Sequence, residues 1–496
     1  MEHQNHDGGM ESRGVARPQM MQDKEKGNDM DMDRMQMLKA HHAKTLWVYW
    51  LIILLGAWLA LSPLTFSYGK EIVQPSGGRS LWLTDAMRVN YMMWNDIICG
   101  ILLIIFGWRM LTPNRPVSGW IACFIGIWLN FAPLLFWAPS AHIYLNTTLV
   151  GVFIIALTIL IPGMPNMIKY MKMGSEVPPG WSYNPSSWPQ RWSMIVLGFL
   201  GWVVSRYLGA YQLGFIDTAW DPFFGDSSMQ VLDSSMSHSL PVSDGALGAF
   251  AYTLEFLMGW MGSPSRWRTM PWMVFVFGIL VIPLGLVHIF LVISQPVVVG
   301  HWCFFCLMAA GIMLPMIPLE FDEVIAMGQH MVQAKRRGDN MWEVFWKGGK
   351  AFEENKDERS PKLQELPQKP GQVIAASLWG MSYPITLIIS TIIGIALMFA
   401  PNAFGVKITT MAAHIVHLAG ALTIVISVIS MGEIVRRARF LNLFTGLSLT
   451  LGLWLVSDIS LALTLCATFS GIIIMALSFP RGPKKEQYGL WDKYVT

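Results

Sequence analysis

Apolar runs of roughly 17 to 24 residues, broken by short charged or Pro- and Gly-containing stretches, recur along the whole chain and predict an all-α, polytopic membrane protein. Twelve spans are expected. The first four run over Leu46 to Phe66, Val89 to Leu111, Ser118 to Phe136 and Ile143 to Ile161. A middle group covers Trp192 to Phe215, Ala246 to Met261, Trp272 to Ser294 and Val299 to Ile317. A last group covers Leu378 to Met398, Thr409 to Ile429, Phe440 to Val456 and Ile459 to Leu477. The pattern predicts a central four-helix bundle (190–318) between two four-helix units (45–170 and 373–480).

Basic residues test that count, because Lys and Arg accumulate on the cytoplasmic side of a membrane protein. They fall on alternate connections: Lys39 and Lys44, Arg109 and Arg115, Lys169 with Lys172 and Arg191, Arg266 and Arg268, Lys335 to Arg337, Arg436 with Arg437 and Arg439, and Arg481 with Lys484 and Lys485. Both termini are therefore expected in the cytoplasm. One outer loop fits poorly, with Lys70, Arg79 and Arg88. The connection 216–245 carries five Asp and no Lys or Arg, as suits the outer face, and loops of that length usually have a function. Residues 319–372 read as an amphipathic cytoplasmic helix, with Phe321, Val324 and Ile325 opposite Glu320, Asp322 and Glu323, followed by a charged linker; 481–496 read as a cytoplasmic tail.

Composition agrees. Of 496 residues, 53% are hydrophobic and 14% charged, too few charges for an ordinary soluble enzyme, and a net charge of +3 gives no reason to expect nucleic acid. Residues 1–44 are polar and contain Met and His without an apolar core, so they read as a disordered cytoplasmic tail rather than a signal peptide. Without a signal peptide, a multi-pass protein of the bacterial inner membrane is the expectation. Thioether and imidazole groups in the tail could hold a soft metal, but their spacing is irregular and no metal site is assigned.

An internal repeat is visible. Gly56-Ala-Trp58-Leu59-Ala-Leu-Ser62-Pro63-Leu64 recurs as Gly126-Ile-Trp128-Leu129-Asn-Phe-Ala132-Pro133-Leu134, with an echo at Gly394 to Pro401. Gly100, Gly151, Gly420, Gly446 and Gly471 extend the spacing, placing a small residue near the middle of most spans, where it lets helix backbones approach in lipid. The prolines fall where spans should stop. These residues resemble the SPW repeat, a two-helix membrane module, which implies architecture but no activity.

The most specific chemical feature is Cys303-Phe304-Phe305-Cys306, expected at the outer start of the eighth span. At a helix N-terminus, free N–H groups and the helix dipole favour the thiolate of the first cysteine. Two cysteines merely buried together are the alternative. Four spans, a long outer loop after the first, and this pair opening the fourth make the region around 191–317 resemble the vitamin K epoxide reductase family, as do Val231, Ser234, Pro241, Gly248 and Tyr252 in order. The resemblance implies a membrane thiol oxidoreductase passing electrons between a quinone and protein thiols, with Cys303 exchanging with an outer thiol protein or small thiol and Cys306 on the quinone side. The family's two loop cysteines align with Trp220 and Ser228, its Asn with Asp244, and a Tyr of some members with Ala310. Neither Trp nor Ser undergoes disulfide exchange, so the loop relay is absent.

His301, Trp302 and Phe305 stand beside the pair as candidate quinone contacts. Other ionisable residues within spans are Asp96, Glu255, His288, His414 and His417. Glu255 and His288 could meet as a proton relay or an ion pair; His414 and His417 share a helix face, but two ligands make a weak metal site. Most of the 23 Trp residues lie at span ends as interfacial anchors. Two other classes compete with the redox reading: a non-catalytic scaffold or metal-handling protein that retains the bundle, and a transporter built from repeats.

Overall fold

The structure, a computed structural model, describes residues 35–161, 174–350, 355–365, 367–456 and 460–495. Among these residues there is no strand, and three isolated bridges are the only β pairing. Helices form where the apolar runs lie: α1 (Leu46–Thr65), α2 (Asp85–Met110), α3 (Pro116–Leu135), α4 (Ala141–Ile159), α5 (Trp188–Gln212), α6 (Asp244–Trp260), α7 (Pro271–Val281), α8 (Pro283–Val298), α9 (Phe304–Arg336), α10 (Ile385–Ala403), α11 (Met411–Ile429), α12 (Asn442–Leu451) and α13 (Leu461–Leu477). Helices α7 and α8 make one span broken at Pro283, which has no N–H to continue the ladder. Ten spans among the described residues have 18 or more residues and are apolar enough to cross a bilayer. The sixth and twelfth expected spans, α6 and α13, have 17 residues each. Each expected span falls on a helix or a helix pair in the expected order, ten of the twelve meet that length and apolarity, and the chain is a multi-pass, all-α membrane protein.

The glycines explain the pairing of α1 with α2, α3 with α4, α10 with α11, and α12 with α13. At each crossing two glycines face one another: Gly56 and Gly100, Gly126 and Gly151, Gly394 and Gly420, Gly446 and Gly471. A Cβ on any of them would come within 2.5–3.0 Å of the partner glycine's carbonyl oxygen, closer than any real contact. The repeat therefore encodes a backbone-to-backbone crossing, which in lipid substitutes for the hydrophobic drive that water would supply. Pro63, Pro133 and Pro401 each stand two residues before their helix ends.

Several expectations need correction. Residues 1–34 lie outside the described residues, but 35–44, expected in a disordered tail, are helical. Leu38 and His42, one turn apart, are buried; His42 Nε2 bonds the Met110 carbonyl at 2.9 Å and its ring stacks on Tyr49. The helix expected to start afresh near Leu319 is the uninterrupted continuation of the eighth span, α9. Its acidic side faces inward: Glu320, Asp322 and Glu323 are buried while Phe321, Val324 and Ile325 are half-buried. Partners account for this. Arg266 holds Glu323 in a two-pronged pair at 2.6 and 2.5 Å, and Tyr183 donates to Asp322 at 2.6 Å. A second buried pair, Arg268 to Glu176 at 2.7 Å, lies on the same face.

The arginines of the first outer loop, which broke the charge rule, are structural. Arg88 is buried and donates to the carbonyls of Trp137, Val73 and Ala138. Arg79 donates to the carbonyls of Leu240 and Val242 and lies 4.9 Å over the Trp137 ring, tying the first unit to the 216–245 connection. Asp96 is likewise satisfied, accepting from Tyr68 (2.5 Å), Thr147 (2.9 Å) and Asn95 (2.9 Å).

Candidate functional site: a roofed disulfide

Gly300 lies within the α8–α9 connection with φ +81°, a conformation that only glycine adopts freely, and turns the chain toward α9. Cys303 is the N-cap of that helix, in extended conformation, and its Sγ accepts the Cys306 N–H at 3.2 Å. The two cysteines are joined in a disulfide with Cα atoms 5.2 Å apart. The pair thus opens a 33-residue helix that runs to the opposite face.

The disulfide does not face open water. Cys303 is 0% and Cys306 6% exposed. A roof from the 216–245 connection covers them: Phe223 packs on Phe304, Trp220 on Phe305, and Phe224 stacks on Trp302. Asp221 fastens the roof. Its Oδ1 accepts the N–H groups of Phe223 (2.9 Å) and Phe224 (2.8 Å), and its Oδ2 accepts the Ser228 hydroxyl (2.6 Å) and the Phe304 N–H (3.1 Å). That last N–H belongs to the first turn of α9, where no intrahelical acceptor exists. Burial pushes the Asp221 carboxyl up, but donation from Ser228, Phe224, Phe223 and Phe304 outweighs it and holds the group below its usual range.

The positions aligned with the missing loop cysteines therefore have other roles. Ser228 is buried and bonded to Asp221, whereas Trp220 is largely exposed and its N–H donates to the Tyr207 hydroxyl at 2.6 Å. Asp244 accepts from Gln212 and, at 2.9 Å, from Ser237, which ties the loop to α5.

Of the residues expected around the pair, Phe305 is half-buried, 5.0 Å from the Tyr207 ring. Trp302 is 7% exposed, stacked on Phe399 at 5.1 Å and met edge-on by His417 at 4.9 Å. His301 is half-buried, and among the described residues no hydrogen bond joins it to the disulfide. Glu255 and His288 do not pair; His288 lies edge-on to Tyr252. His417 is turned away from metal binding, its Nε2 bonded to the Ile293 carbonyl at 2.7 Å. Sequence reasoning missed Asp221, Phe224, Phe399 and the Trp302–His417 contact. Only Asp221 left a trace, as one of the acids of the long loop. A small cleft away from the disulfide is lined by Thr158, Ile161, Gly262 and Met270.

No curated protein and no solved structure matches the chain. Residues 79–160 match the SPW repeat domain. Residues 192–321, which include the roof, the disulfide and the helices that position both, match the vitamin K epoxide reductase family.

Proposed function

We propose that this protein is a quinone-linked membrane thiol oxidoreductase in which the Cys303–Cys306 disulfide is the exchanging group. The observation that carries the reading is a disulfide at the N-cap of a membrane helix, beneath an outer loop, within the segment similar to the reductase family. In one turnover an outer thiol attacks Cys303, two outer thiols become a disulfide, and Cys303 and Cys306 become thiols. The dithiol then passes two electrons to a quinone and sheds its two protons, the quinone takes up two protons to become quinol, and the disulfide is restored. Cys306 is the quinone-side sulfur. Of the three residues expected to contact the quinone, half-buried Phe305 is best placed; Trp302 is committed to Phe224 and Phe399 and gains a free face only when the roof lifts. His301 completes the proposed set. The flanking four-helix units serve as a frame, and the protein lies in a bacterial inner membrane with both termini cytoplasmic.

The test is reduction of a short-chain ubiquinone by glutathione in vesicles holding the full chain. Wild type is expected to turn over and Cys303→Ser and Cys306→Ser to be inactive; an unchanged rate in either variant removes the pair from the chemistry. Burial of the disulfide and the lack of loop cysteines favour a rival reading, a non-catalytic scaffold. A pair that stays oxidised in native membranes under every thiol treatment supports that rival.

A further inference from the structure

Beneath the disulfide, on the side away from the roof, the bundle interior holds acidic groups that packing does not need. Glu255 on α6 and Glu320 on α9 are each 1% exposed. Glu255 Oε2 and Glu320 Oε1 have no hydrogen-bond partner. The nearby cation, Arg266, is committed to Glu323 and to the Met258 carbonyl. Isolated carboxyls at membrane depth are expensive, and where they persist they mark ion or proton paths.

Their placement is ordered. Glu323 and Glu320 are one turn apart on α9, and Tyr252 and Glu255 are one turn apart on α6, so each pair shares a helix face. Glu320 lies within electrostatic reach of Glu255, Glu323, Asp322 and Arg266, and Glu255 within reach of Tyr252. The Tyr252 hydroxyl donates to the Ala309 carbonyl at 3.0 Å, one turn along α9 from Cys306. His288 completes the titratable groups around Tyr252. From the Arg266–Glu323 pair at the face opposite the roof, ionisable groups thus step to within a turn of the disulfide.

We propose that Glu320, Glu255 and Tyr252 form a proton path that feeds the redox site from the face opposite the roof. The inference rests on the quinone-linked reading. Two outer thiols give two electrons to the quinone and release their two protons on the roof side; two protons from the opposite side enter through the path and complete the quinol. Atoms and charge balance, and each turnover moves two protons' worth of charge across the bilayer.

The experiment uses full-length protein in vesicles with a pH dye inside, short-chain ubiquinone in the lipid and glutathione outside, so that only molecules with the roof outward turn over. Wild type is expected to make the lumen alkaline, and Glu255→Gln and Glu320→Gln to slow turnover about 100-fold. Separately, without quinone, dicyclohexylcarbodiimide, an apolar reagent for protonated carboxyls, is expected to leave an adduct on Glu255 or Glu320 detectable by peptide mass. Wild-type turnover without lumen alkalinisation, wild-type rates in both variants, or no adduct on either residue overturns the path alone. A wild type that leaves ubiquinone oxidised sinks the redox reading and the path together.

Discussion

Replacing Asp221 by Ala should unfasten the roof. The variant loses all four acceptor contacts, but three of them, with Phe223, Phe224 and Ser228, lie within the loop itself. The contact between Oδ2 and the Phe304 N–H decides whether the roof is closed, because Phe304 belongs to α9. A hydrogen bond to a charged group contributes about 1.5–3 kcal/mol, so the closed state should lose about that much. That is roughly a ten- to hundredfold rise in the open population. If the disulfide reacts only when uncovered, its reduction by an impermeant phosphine should accelerate by the same factor. The assay counts free thiols with a mass-tagged maleimide in a background where Cys99, Cys123 and Cys466 are replaced, and follows the thermal midpoint to show that the helices are intact. Ser228→Ala, which leaves the Phe304 contact in place, should give a smaller effect. A reduction rate in Asp221→Ala equal to wild type would refute the roof as a barrier.

Other outcomes follow from the same geometry. Because the folded Asp221 carboxyl sits below its ordinary value, its contribution is complete above the unfolded value of about 3.9 and is lost as pH falls through the lower folded value. Phosphine access, normalised to a free disulfide at each pH, should therefore be flat between about pH 5 and pH 7 and rise only in stronger acid; a rise within the flat window contradicts the assignment. Gly100→Ala puts a Cβ 2.5 Å from the Gly56 carbonyl oxygen and should cost about 1–3 kcal/mol, read as a lower thermal midpoint, while Gly311→Ala, which meets nothing, should not. Glu323→Ala leaves the buried Arg266 without its anion and should cost about 3–5 kcal/mol, measured by thermal unfolding in detergent.

Much of this molecule was legible because its local rules are strict. Apolar length located the helices, and the recurring glycines at positions such as Gly56 and Gly126 announced close crossings. The C-x-x-C spacing put both sulfurs on the first turn of a helix. What periodicity could not say is which side of an amphipathic segment turns inward. Around Glu320, Asp322 and Glu323 the hydrophobic pattern favoured burying Phe321 and Val324, but Arg266 and Tyr183, remote in sequence, invert the choice by supplying partners. The roof was illegible for a similar reason: Asp221 meets Phe304 across 83 positions, and an aspartate in an acidic loop carries no mark of the one backbone N–H it will cap. Arg79 and Arg88 looked like exceptions to the charge rule because their carbonyl acceptors belong to distant stretches of chain.

The stacking of Trp302 on Phe399, with His417 at its edge, sets a lower limit on how small a working version of this molecule can be. The segment shared with the reductase family stops at residue 321, yet the indole adjoining its first cysteine borrows its wall from α10 and α11. Excised alone, the bundle would present a bare aromatic flank next to its sulfurs. The neighbouring unit is thus part of the wall beside the disulfide, and any fragment that keeps that wall must reach past residue 417.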